Sequence, residues 1–308
     1  MAQAPYSFRL QTSDFQVSIA IIINPISGGA RPDVARARAQ VALAVVHAHG
    51  DPAEVFVTEG VGHARELTKA AVRRGARLVM AWGGDGTINE VASALIFGEV
   101  PLGIIPAGSG NGLARELGVH SRPERAIADA LAAEPRPMDV GEIDGRFFVN
   151  VAGIGLDAHV ASRFSGARRR GFVGYAGLTA RALATYVPSH YRITSGGAQR
   201  EVRAVLISIA NSAQFGNGAR IAPGALVDDG VLDLVVIEER SRIATLCHLP
   251  RLFNGTVQRI PGCTLRRIRE ATIEAGQPMT FHVDGEPVQG GTRVRARVHP
   301  GALRVAVR

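Results

Sequence analysis

The chain has 308 residues, of which 46% are hydrophobic, so it can form about two globular domains with ordinary apolar cores. Its formal net charge of +8 comes almost entirely from arginine, because Lys69 is the only lysine. That single lysine lies outside any glycine-rich turn, which excludes a P-loop and the strand lysine of protein kinases. Cys247 and Cys263 fit neither a metal site nor a disulfide framework, and we expect a reducing cytoplasm.

Residues 1–137 alternate between apolar, strand-like runs and helical patterns. This alternation predicts an α/β nucleotide-binding domain with a parallel sheet covered by helices. The predicted strands are Val17–Ile23, Glu54–Thr58, Arg77–Trp82 and Leu102–Ile105, and the predicted helices are Pro32–His49, His63–Arg73, Ile88–Phe97, Gly112–Leu117 and Arg122–Ala132.

Pro135-Arg136-Pro137 interrupts this alternation, and strand-like segments dominate residues 138–308. They predict a β-rich antiparallel sandwich or barrel domain whose last strand packs back on the first domain. Arg163–Val187 is the exception and is expected to be partly helical. The predicted strands are Phe147–Val151, Val202–Ala210, Val231–Ile237, Ala271–Ala275, Met279–Val283 and Arg293–Val298.

Three glycine-rich turns follow strands of the first domain and lead into helices: Asn24–Gly29, Gly83–Thr87 and Pro106–Gly112. In an open parallel sheet such turns meet at one edge, where ligands bind. Each helix start supplies free backbone N–H groups and a positive dipole end, which attract phosphate. The three turns together therefore predict a nucleotide site.

Asp85 stands out because a carboxylate beside phosphate would be repelled unless Mg²⁺ lay between them. We therefore interpret Asp85 as a residue on the metal side of the site. Thr87 and Glu90 also match a capping box, which needs only a helix start to explain it.

These residues carry a family resemblance. The run Gly83-Gly84-Asp85-Gly86-Thr87-Ile88-Asn89-Glu90 resembles the signature of the diacylglycerol kinase catalytic-domain family of lipid kinases, which includes sphingosine kinases. Further matches follow in order along the chain: Asn24-Pro25, Gly108-Ser109-Gly110-Asn111, Asn150-Val151-Ala152-Gly153-Ile154-Gly155, Asp228-Asp229-Gly230-Val231-Leu232-Asp233 and Asp284-Gly285-Glu286. The central turn alone also occurs in NAD kinases and phosphofructokinases, but the ordered set is much more specific.

The resemblance implies roles for individual residues. Glu286 would be the general base that accepts the proton of the attacking lipid hydroxyl, with Asp284 and Asp85 also catalytic. Asp-Gly is equally a common hairpin signal, so Asp284-Gly285 also fits a simple turn. The implied ATP contacts are Asn24, Pro25, Ser27, Gly28, Thr58, Gly83, Gly84, Asp85, Gly86, Thr87, Gly108, Ser109 and Asn111.

The resemblance also implies a structural Mg²⁺ bound by Asp229 and by the backbone carbonyls of Leu226 and Val231. The alternative for Asp229 is an ordinary Asp-Gly turn. One position departs from the family pattern, because Gly112 stands where bacterial lipid kinases often carry aspartate. Together with Ser109 this is closer to the sphingosine and ceramide kinase pattern, which puts both the metal-water network and diacylglycerol as the substrate in question.

The function that follows is an ATP- and Mg²⁺-dependent lipid kinase acting on a hydroxyl of a lipid such as diacylglycerol or a sphingoid base. One alternative is an NAD kinase-like enzyme, which the two later Asp-Gly segments fit poorly. Another is a catalytically inactive membrane-binding relative. No recognition-helix or RNA-binding motif is present, so we expect no nucleic-acid partner.

The segment from Ala158 to Arg220 carries nine arginines and one acidic residue, Glu201. Arg168-Arg169-Arg170 precedes an aromatic and aliphatic run, a composition that suits an anionic membrane surface and equally a solvated helix with an apolar stripe. No signal peptide or membrane span is evident. We therefore expect a cytoplasmic protein that associates peripherally with the inner face of the membrane, and a homodimer is an open option.

Overall fold

A computed structural model describes residues 18–29, 34–164, 185–216, 218–240, 247–248 and 250–308. Its N-terminal part contains a parallel sheet with the strand order β4-β3-β1-β2. These strands are β1 (Ile19–Ile23), β2 (Ala53–Val57), β3 (Leu78–Gly83) and β4 (Leu102–Pro106). All residues of β1 and β3 are buried, because helices cover both faces of a parallel sheet of this kind.

Helices pack on both faces of this sheet and create two apolar cores. On one face, α2 and α3 cover strands β1, β3 and β4, and on the other face α1 and α5 cover the same strands. The helices are α1 (Val34–Ala48), α2 (His63–Arg73), α3 (Asp85–Leu95), α4 (Gly112–Glu116) and α5 (Pro123–Ala132).

The rest of the described chain is mainly antiparallel strand. Its elements are β5 (Arg136–Ile143), β6 (Arg146–Phe148), β7 (Val151–Gly155), α6 (Leu156–Phe164), β8 (Ser189–Ser195), β9 (Ala198–Ala210), β10 (Gln214–Gly216), β11 (Ala219–Arg220), β12 (Leu232–Glu238), α7 (Pro250–Phe253), β13 (Cys263–Ile268), β14 (Glu270–Ala275), β15 (Thr280–Val283), β16 (Glu286–Gln289) and β17 (Arg293–Val305). The predicted order of an α/β region followed by an antiparallel β-rich region is confirmed.

The last strand connects the two regions. Along most of its length β17 pairs antiparallel with β5 and β14, and at its end Val305 pairs parallel with Leu102 of β4. The amide of Ala306 donates to the carbonyl of Leu102 at 2.9 Å. One hydrogen-bonded sheet therefore runs through both regions, and β5 begins at Arg136, next to the sequence-based boundary.

Two predicted elements were wrong in ways that affect the site. The third helix begins at Asp85 rather than Ile88, so the glycine-rich turn forms its first turn, and Phe97 with a φ of 63° lies beyond its end. The predicted strand Phe147–Val151 is divided into β6 and β7. The division occurs because the amides of Val149–Val151 donate to the carboxylate of Asp284 instead of to a neighbouring strand.

Sequence patterns missed β5, β8, β10, β11, β13 and β16. Strand β8 and the second half of β13 expose charged or polar side chains, which weakens their apolar signal. Of the segment expected to be partly helical, residues 165–184 lie outside the described residues. Among the described residues, every helix is too short or too polar to cross a bilayer.

Asp139 on β5 links two loops to the sheet. Its carboxylate is buried and accepts the amide of Gly230 at 2.6 Å and the amide of Gly301 at 2.8 Å. Its own amide donates to the carbonyl of Val227 at 2.7 Å. Asp139 therefore holds both the Asp228–Gly230 turn and the irregular stretch of β17.

We predict that Asp139→Ala lowers the free energy of unfolding by roughly 2 to 4 kcal/mol, because two amides lose a charged acceptor. Asp139→Asn retains one acceptor oxygen and should lose about half as much. Urea unfolding followed by circular dichroism measures both. An alanine variant as stable as the wild type would contradict the assigned role.

Candidate active site

The three glycine-rich turns meet at the carboxyl edge of the parallel sheet and line one cavity of about 540 Å³. They touch so closely that side chains would not fit between them. A Cβ on Gly28 would lie 2.5 Å from the carbonyl oxygen of Ala107, and one on Gly108 would lie 2.6 Å from the Cα of Gly84. The glycines therefore let the turns pack against each other, and they also leave room for a ligand to approach the backbone.

Most of the residues expected to bind ATP lie on the wall of this cavity. Two do not. Gly83 lies behind the wall, where a Cβ would lie 2.5 Å from that of Thr87, and Asn111 closes its own turn through hydrogen bonds with the amide and carbonyl of Gly108. The lining residues from the expected set are Asn24, Pro25, Ser27, Gly28, Thr58, Gly84, Asp85, Gly86, Thr87, Gly108 and Ser109.

The expected capping box does not form. Gly84 is the N-cap of α3, and the Thr87 hydroxyl instead accepts a hydrogen bond from Asn24 Nδ2 at 2.9 Å. Glu90 turns to the neighbouring helix and accepts the amides of Gly62 and Ala64 at 2.8 and 3.1 Å. Because α3 starts at Asp85, earlier than the pattern indicates, Thr87 and Glu90 do not cap α3. Thr87 instead joins α3 to the Asn24–Gly29 turn, and Glu90 caps α2.

Arg38 on α1 was not expected from the sequence. Its guanidinium donates to the carbonyl of Asn24 and the hydroxyl of Ser27, both at 2.7 Å, and lies 5.8 Å from the centre of the Trp82 ring. Burial lowers the pKa of Arg38 from its ordinary value. The residue stabilises the first turn, but nothing in the sequence separates it from the many other arginines.

Asp85 is partly buried at the first position of α3, and its Oδ1 accepts the amide of Gly112 at 2.7 Å. Burial raises the pKa of Asp85 to about 6. The nearby charge of Asp284 adds to the rise, and the Gly112 amide opposes it. A bound cation would favour the charged carboxylate. Because Mg²⁺ often binds through one carboxylate plus phosphate oxygens and waters, Asp85 fits the ion that the family implies.

Gly112 is tightly surrounded in this chain. A Cβ there would lie 2.7 Å from Asn150 Nδ2 and 3.0 Å from the carbonyl oxygen of Phe215. An aspartate would therefore require its neighbours to move. The backbone amide of Gly112 donates to the Asp85 carboxylate, so the contact between positions 112 and 85 involves the main chain of Gly112.

Asp284 and Gly285 form the two-residue turn between β15 and β16, with φ values of 47° and 88°. The turn and the expected catalytic segment are thus the same feature. The Asp284 carboxylate accepts Asn89 Nδ2 at 2.7 Å and three backbone amides, those of Val149, Asn150 and Val151, at 2.8 to 3.0 Å. Burial raises the pKa of Asp284, and these donors oppose the rise.

Glu286 begins β16 and lines the cavity. A methyl group added to Gly86 would lie 3.0 Å from Glu286 Oε1, so the carboxylate faces the first turn of α3. The base candidate from the C-terminal region and the phosphate-binding turn from the N-terminal region therefore share one cavity, as the resemblance implied.

Leu226, Asp229 and Val231 belong to a separate turn and do not line this cavity. The carboxylate of Asp229 pairs with the guanidinium of Arg267 and accepts the amide of Val231 at 3.2 Å. A cation here would have to displace Arg267 from the carboxylate, and the structural Mg²⁺ site stays a prediction. Within the described residues, no three His, Cys, Asp or Glu side chains gather into a metal cluster.

Two further cavity residues, Asp157 and His282, were missed by sequence reasoning. They are buried and lie 3.3 Å apart, from Asp157 Oδ2 to His282 Nε2. They are 125 positions apart in sequence, and no spacing pattern connects them. Only the contact of α6 with β15 brings them together.

An α/β region and an antiparallel region that share a cavity of glycine-rich turns and carboxylates define a phosphotransferase-like site. Two family profiles match the chain: a diacylglycerol kinase catalytic domain over residues 18–143 and a YegS C-terminal NAD kinase beta sandwich-like domain over residues 150–307. The chain belongs to the diacylglycerol kinase family, and it is an enzyme of the kinase class.

Curated relatives agree with this assignment. A "Probable lipid kinase YegS-like" protein of Pseudomonas aeruginosa is 33% identical over 273 residues, which cover 86% of this chain and 88% of the relative. One from Citrobacter koseri is 30% identical over 272 residues, covering 85% and 89%. A crystal structure described as a diacylglycerol kinase from Bacillus anthracis shares the fold, with a TM-score of 0.73 at 21% identity over 96% of this chain and 98% of that chain.

We predict that Asp85→Asn stabilises the protein at neutral pH. The folded state binds the Asp85 proton more tightly than the unfolded chain does, so stability falls as the pH rises from about 4 to 6 and then stays low. The asparagine removes this loss and keeps an acceptor for the Gly112 amide. The expected gain at pH 7 is roughly 1 to 3 kcal/mol, since one pKa unit corresponds to about 1.4 kcal/mol.

Urea unfolding at pH 4.5 and pH 7 measures this gain. Asp129→Asn on α5 is a matched control, because Asp129 does not line the cavity. A gain that is equal at both pH values would show that burial of the Asp85 charge is not its cause.

Proposed function

We propose that this protein transfers the γ-phosphate of ATP, with Mg²⁺, to a hydroxyl group of a lipid such as diacylglycerol or a sphingoid base. The observation that carries the proposal is the approach of Glu286 Oε1 to the first turn of α3 at Gly86. A base and a phosphate-binding helix start then act on the same pair of substrates.

The nucleotide phosphates would meet backbone N–H groups at the start of α3 and on the neighbouring turns. The positive end of the α3 dipole favours the same anions. Lys69 is on α2, paired with Glu66, and does not line the cavity. Charge neutralisation therefore depends on backbone dipoles and on Mg²⁺ held by Asp85, which would supply the positive charge that the transferring phosphoryl group requires.

In the transfer step the lipid hydroxyl oxygen forms a bond to the γ-phosphorus while the bond to the β-phosphate oxygen breaks. The hydroxyl proton passes to Glu286, and ADP leaves with the electrons of the broken bond. Glu286 is exposed to the cavity and free to meet the hydroxyl of a second substrate. Asp284 has four protein donors around its carboxylate, so we assign it to holding the turn rather than to contact with substrate.

The rim of the cavity supports a lipid as the acceptor. It exposes three large apolar side chains, Ile26, Val61 and Phe253, with Val61 95% exposed. Apolar groups around a polar reaction centre suit a substrate with a hydrocarbon chain and a polar head. The curated relatives are named lipid kinases, and this also supports the assignment.

A substrate panel tests the proposal. Purified protein, Mg²⁺ and γ-labelled ATP are incubated with diacylglycerol, sphingosine, ceramide and NAD, and the products are separated by chromatography. We expect label in one of the lipids. Label in NAD alone would favour the NAD kinase-like alternative, and no transfer or hydrolysis at all would favour an inactive membrane-binding relative.

We predict that Glu286→Gln lowers kcat by about 10²- to 10⁴-fold, because the amide cannot accept the hydroxyl proton. The KM for ATP should change little, since the proposed role of Glu286 is to accept the proton of the lipid hydroxyl and not to bind the nucleotide. Trp82, the only tryptophan, lies beside the Gly83–Thr87 turn, so its fluorescence should report nucleotide binding. Glu134→Gln, at an exposed position away from the cavity, is the control. Full activity of Glu286→Gln would refute the assigned base.

We further propose that the enzyme works at an anionic membrane surface on the cytoplasmic side. The net charge of +8 and the exposed apolar rim support this. The run Arg168-Arg169-Arg170 lies outside the described residues, so its part in docking stays a prediction, as does a homodimer.

Binding to vesicles of phosphatidylglycerol should weaken as salt rises, because the attraction is electrostatic. Replacing Arg168, Arg169 and Arg170 with glutamate should reduce binding at least several-fold, measured by vesicle sedimentation. Vesicles of phosphatidylcholine are the control. Unchanged binding of the triple variant would exclude this segment as the docking site.

A further inference from the structure

We propose that His282 is a positioning residue for Glu286, and that Asp157 fixes the tautomer that this role requires. This inference rests on the proposed function, since it assigns how the general base of the transfer step is held. His282 is on β15, directly before the Asp284-Gly285 turn, and only 4% of its surface is exposed.

The first step of the argument is the contact between His282 and the turn. The amide of Gly285 donates to His282 Nδ1 at 3.2 Å. A ring nitrogen that accepts a hydrogen bond carries no proton, so Nδ1 is the unprotonated nitrogen. The imidazole therefore restrains Gly285, the residue next to Glu286, and the four donors to its carboxylate restrain Asp284, the residue before Gly285.

The second step is the contact on the other side of the ring. In the neutral imidazole the proton is then on Nε2, which faces Asp157 Oδ2 at 3.3 Å. Asp157 is itself fixed by the hydroxyl of Ser208, which donates to Oδ2 at 3.1 Å, and by the amide of Ala158, which donates to Oδ1 at 2.8 Å. A buried carboxylate with these donors holds the ring in one orientation and one tautomer.

The third step concerns the space for this pair. A Cβ on Gly153 of β7 would lie 1.9 Å from Asp157 Oδ2 and 2.7 Å from His282 Nε2. Only glycine at this position lets the carboxylate reach the ring. On another side, the Phe215 ring lies 6.2 Å from the His282 ring, centre to centre.

The same contacts exclude His282 as a proton acceptor for the substrate. Nδ1 already accepts the Gly285 amide, and Nε2, which faces Asp157 at 3.3 Å, carries the ring proton and cannot accept another from a lipid hydroxyl. The pair acts through the backbone, and its effect should appear in kcat rather than in nucleotide binding. A general base must lie within about 3 Å of its proton, and a displacement of about 1 Å can cost about 100-fold in rate.

Two conservative substitutions separate this role from general packing. In His282→Asn the side-chain oxygen can replace Nδ1 as acceptor for the Gly285 amide. In His282→Gln the amide group can reach Asp157 in the place of Nε2, but the acceptor near Gly285 is lost. His190→Asn, at an exposed position on β8, is the control.

We expect His282→Gln to lower kcat by about 10- to 100-fold, with the KM for ATP and the nucleotide affinity reported by Trp82 within about twofold of wild type. His282→Asn should retain kcat within about threefold to fivefold. An equal loss in both variants, or wild-type kcat in the glutamine variant, would overturn the proposal.

Amide hydrogen exchange of Gly285, followed by NMR, tests the geometry without any activity. The Gly285 amide should be protected in the wild type and in His282→Asn, and should exchange about 10-fold faster in His282→Gln. Equal exchange in all three proteins would also overturn the proposal. If the wild type phosphorylates no lipid while this exchange pattern holds, the proposed function fails and the positioning contact stands.

Discussion

The arrangement of the site depends on the partly buried carboxylate of Asp284. It accepts Asn89 Nδ2 from α3 and the amides of Val149, Asn150 and Val151 from the β6–β7 connection. A buried carboxylate is costly without such donors, and a loss of any of them would leave a charge poorly compensated. This interaction therefore fixes the β15–β16 turn relative to α3, whose first turn lines the cavity.

Helix α3 is the shared element of the two regions. Its first turn contributes Asp85 and Gly86 to the cavity, Asn89 in its middle donates to Asp284 of the β15–β16 turn, and Phe97, beyond its end, packs edge-on against Phe147 and His299. One helix thus connects the glycine-rich turn at Gly83–Thr87 to the β15–β16 turn that precedes Glu286. Small changes along α3 should affect catalysis more than changes of the same size in the outer strands.

The carboxylates of the cavity are not balanced by a lysine, because Lys69, the only one in the sequence, does not line it. Burial raises the pKa of both Asp85 and Asp284, and the charge of Asp284 adds to the rise at Asp85. Carboxyl groups with pKa values raised by burial and by a neighbouring charge are common at functional sites. The Gly112 amide partly compensates Asp85, and the tight surroundings of Gly112 explain why a side chain there would disturb this contact.

Sequence reasoning found the parts of the site that carry local signals. Glycine-rich turns after apolar strands indicated the phosphate edge, and Asp284-Gly285-Glu286 matched a family segment. It misplaced the start of α3 and the role of Glu90, because the partners that decide both, Asn24 and α2, are distant along the chain.

The sequence by itself determined the α/β and antiparallel regions, the glycine-rich turns and the family, because apolar periodicity and short motifs are local properties. Only the tertiary structure decided that Arg38 supports the first glycine-rich turn and that Asp157 meets His282. These contacts join residues far apart in the chain. They depend on how helices and strands pack, and a single sequence carries no spacing that encodes such packing.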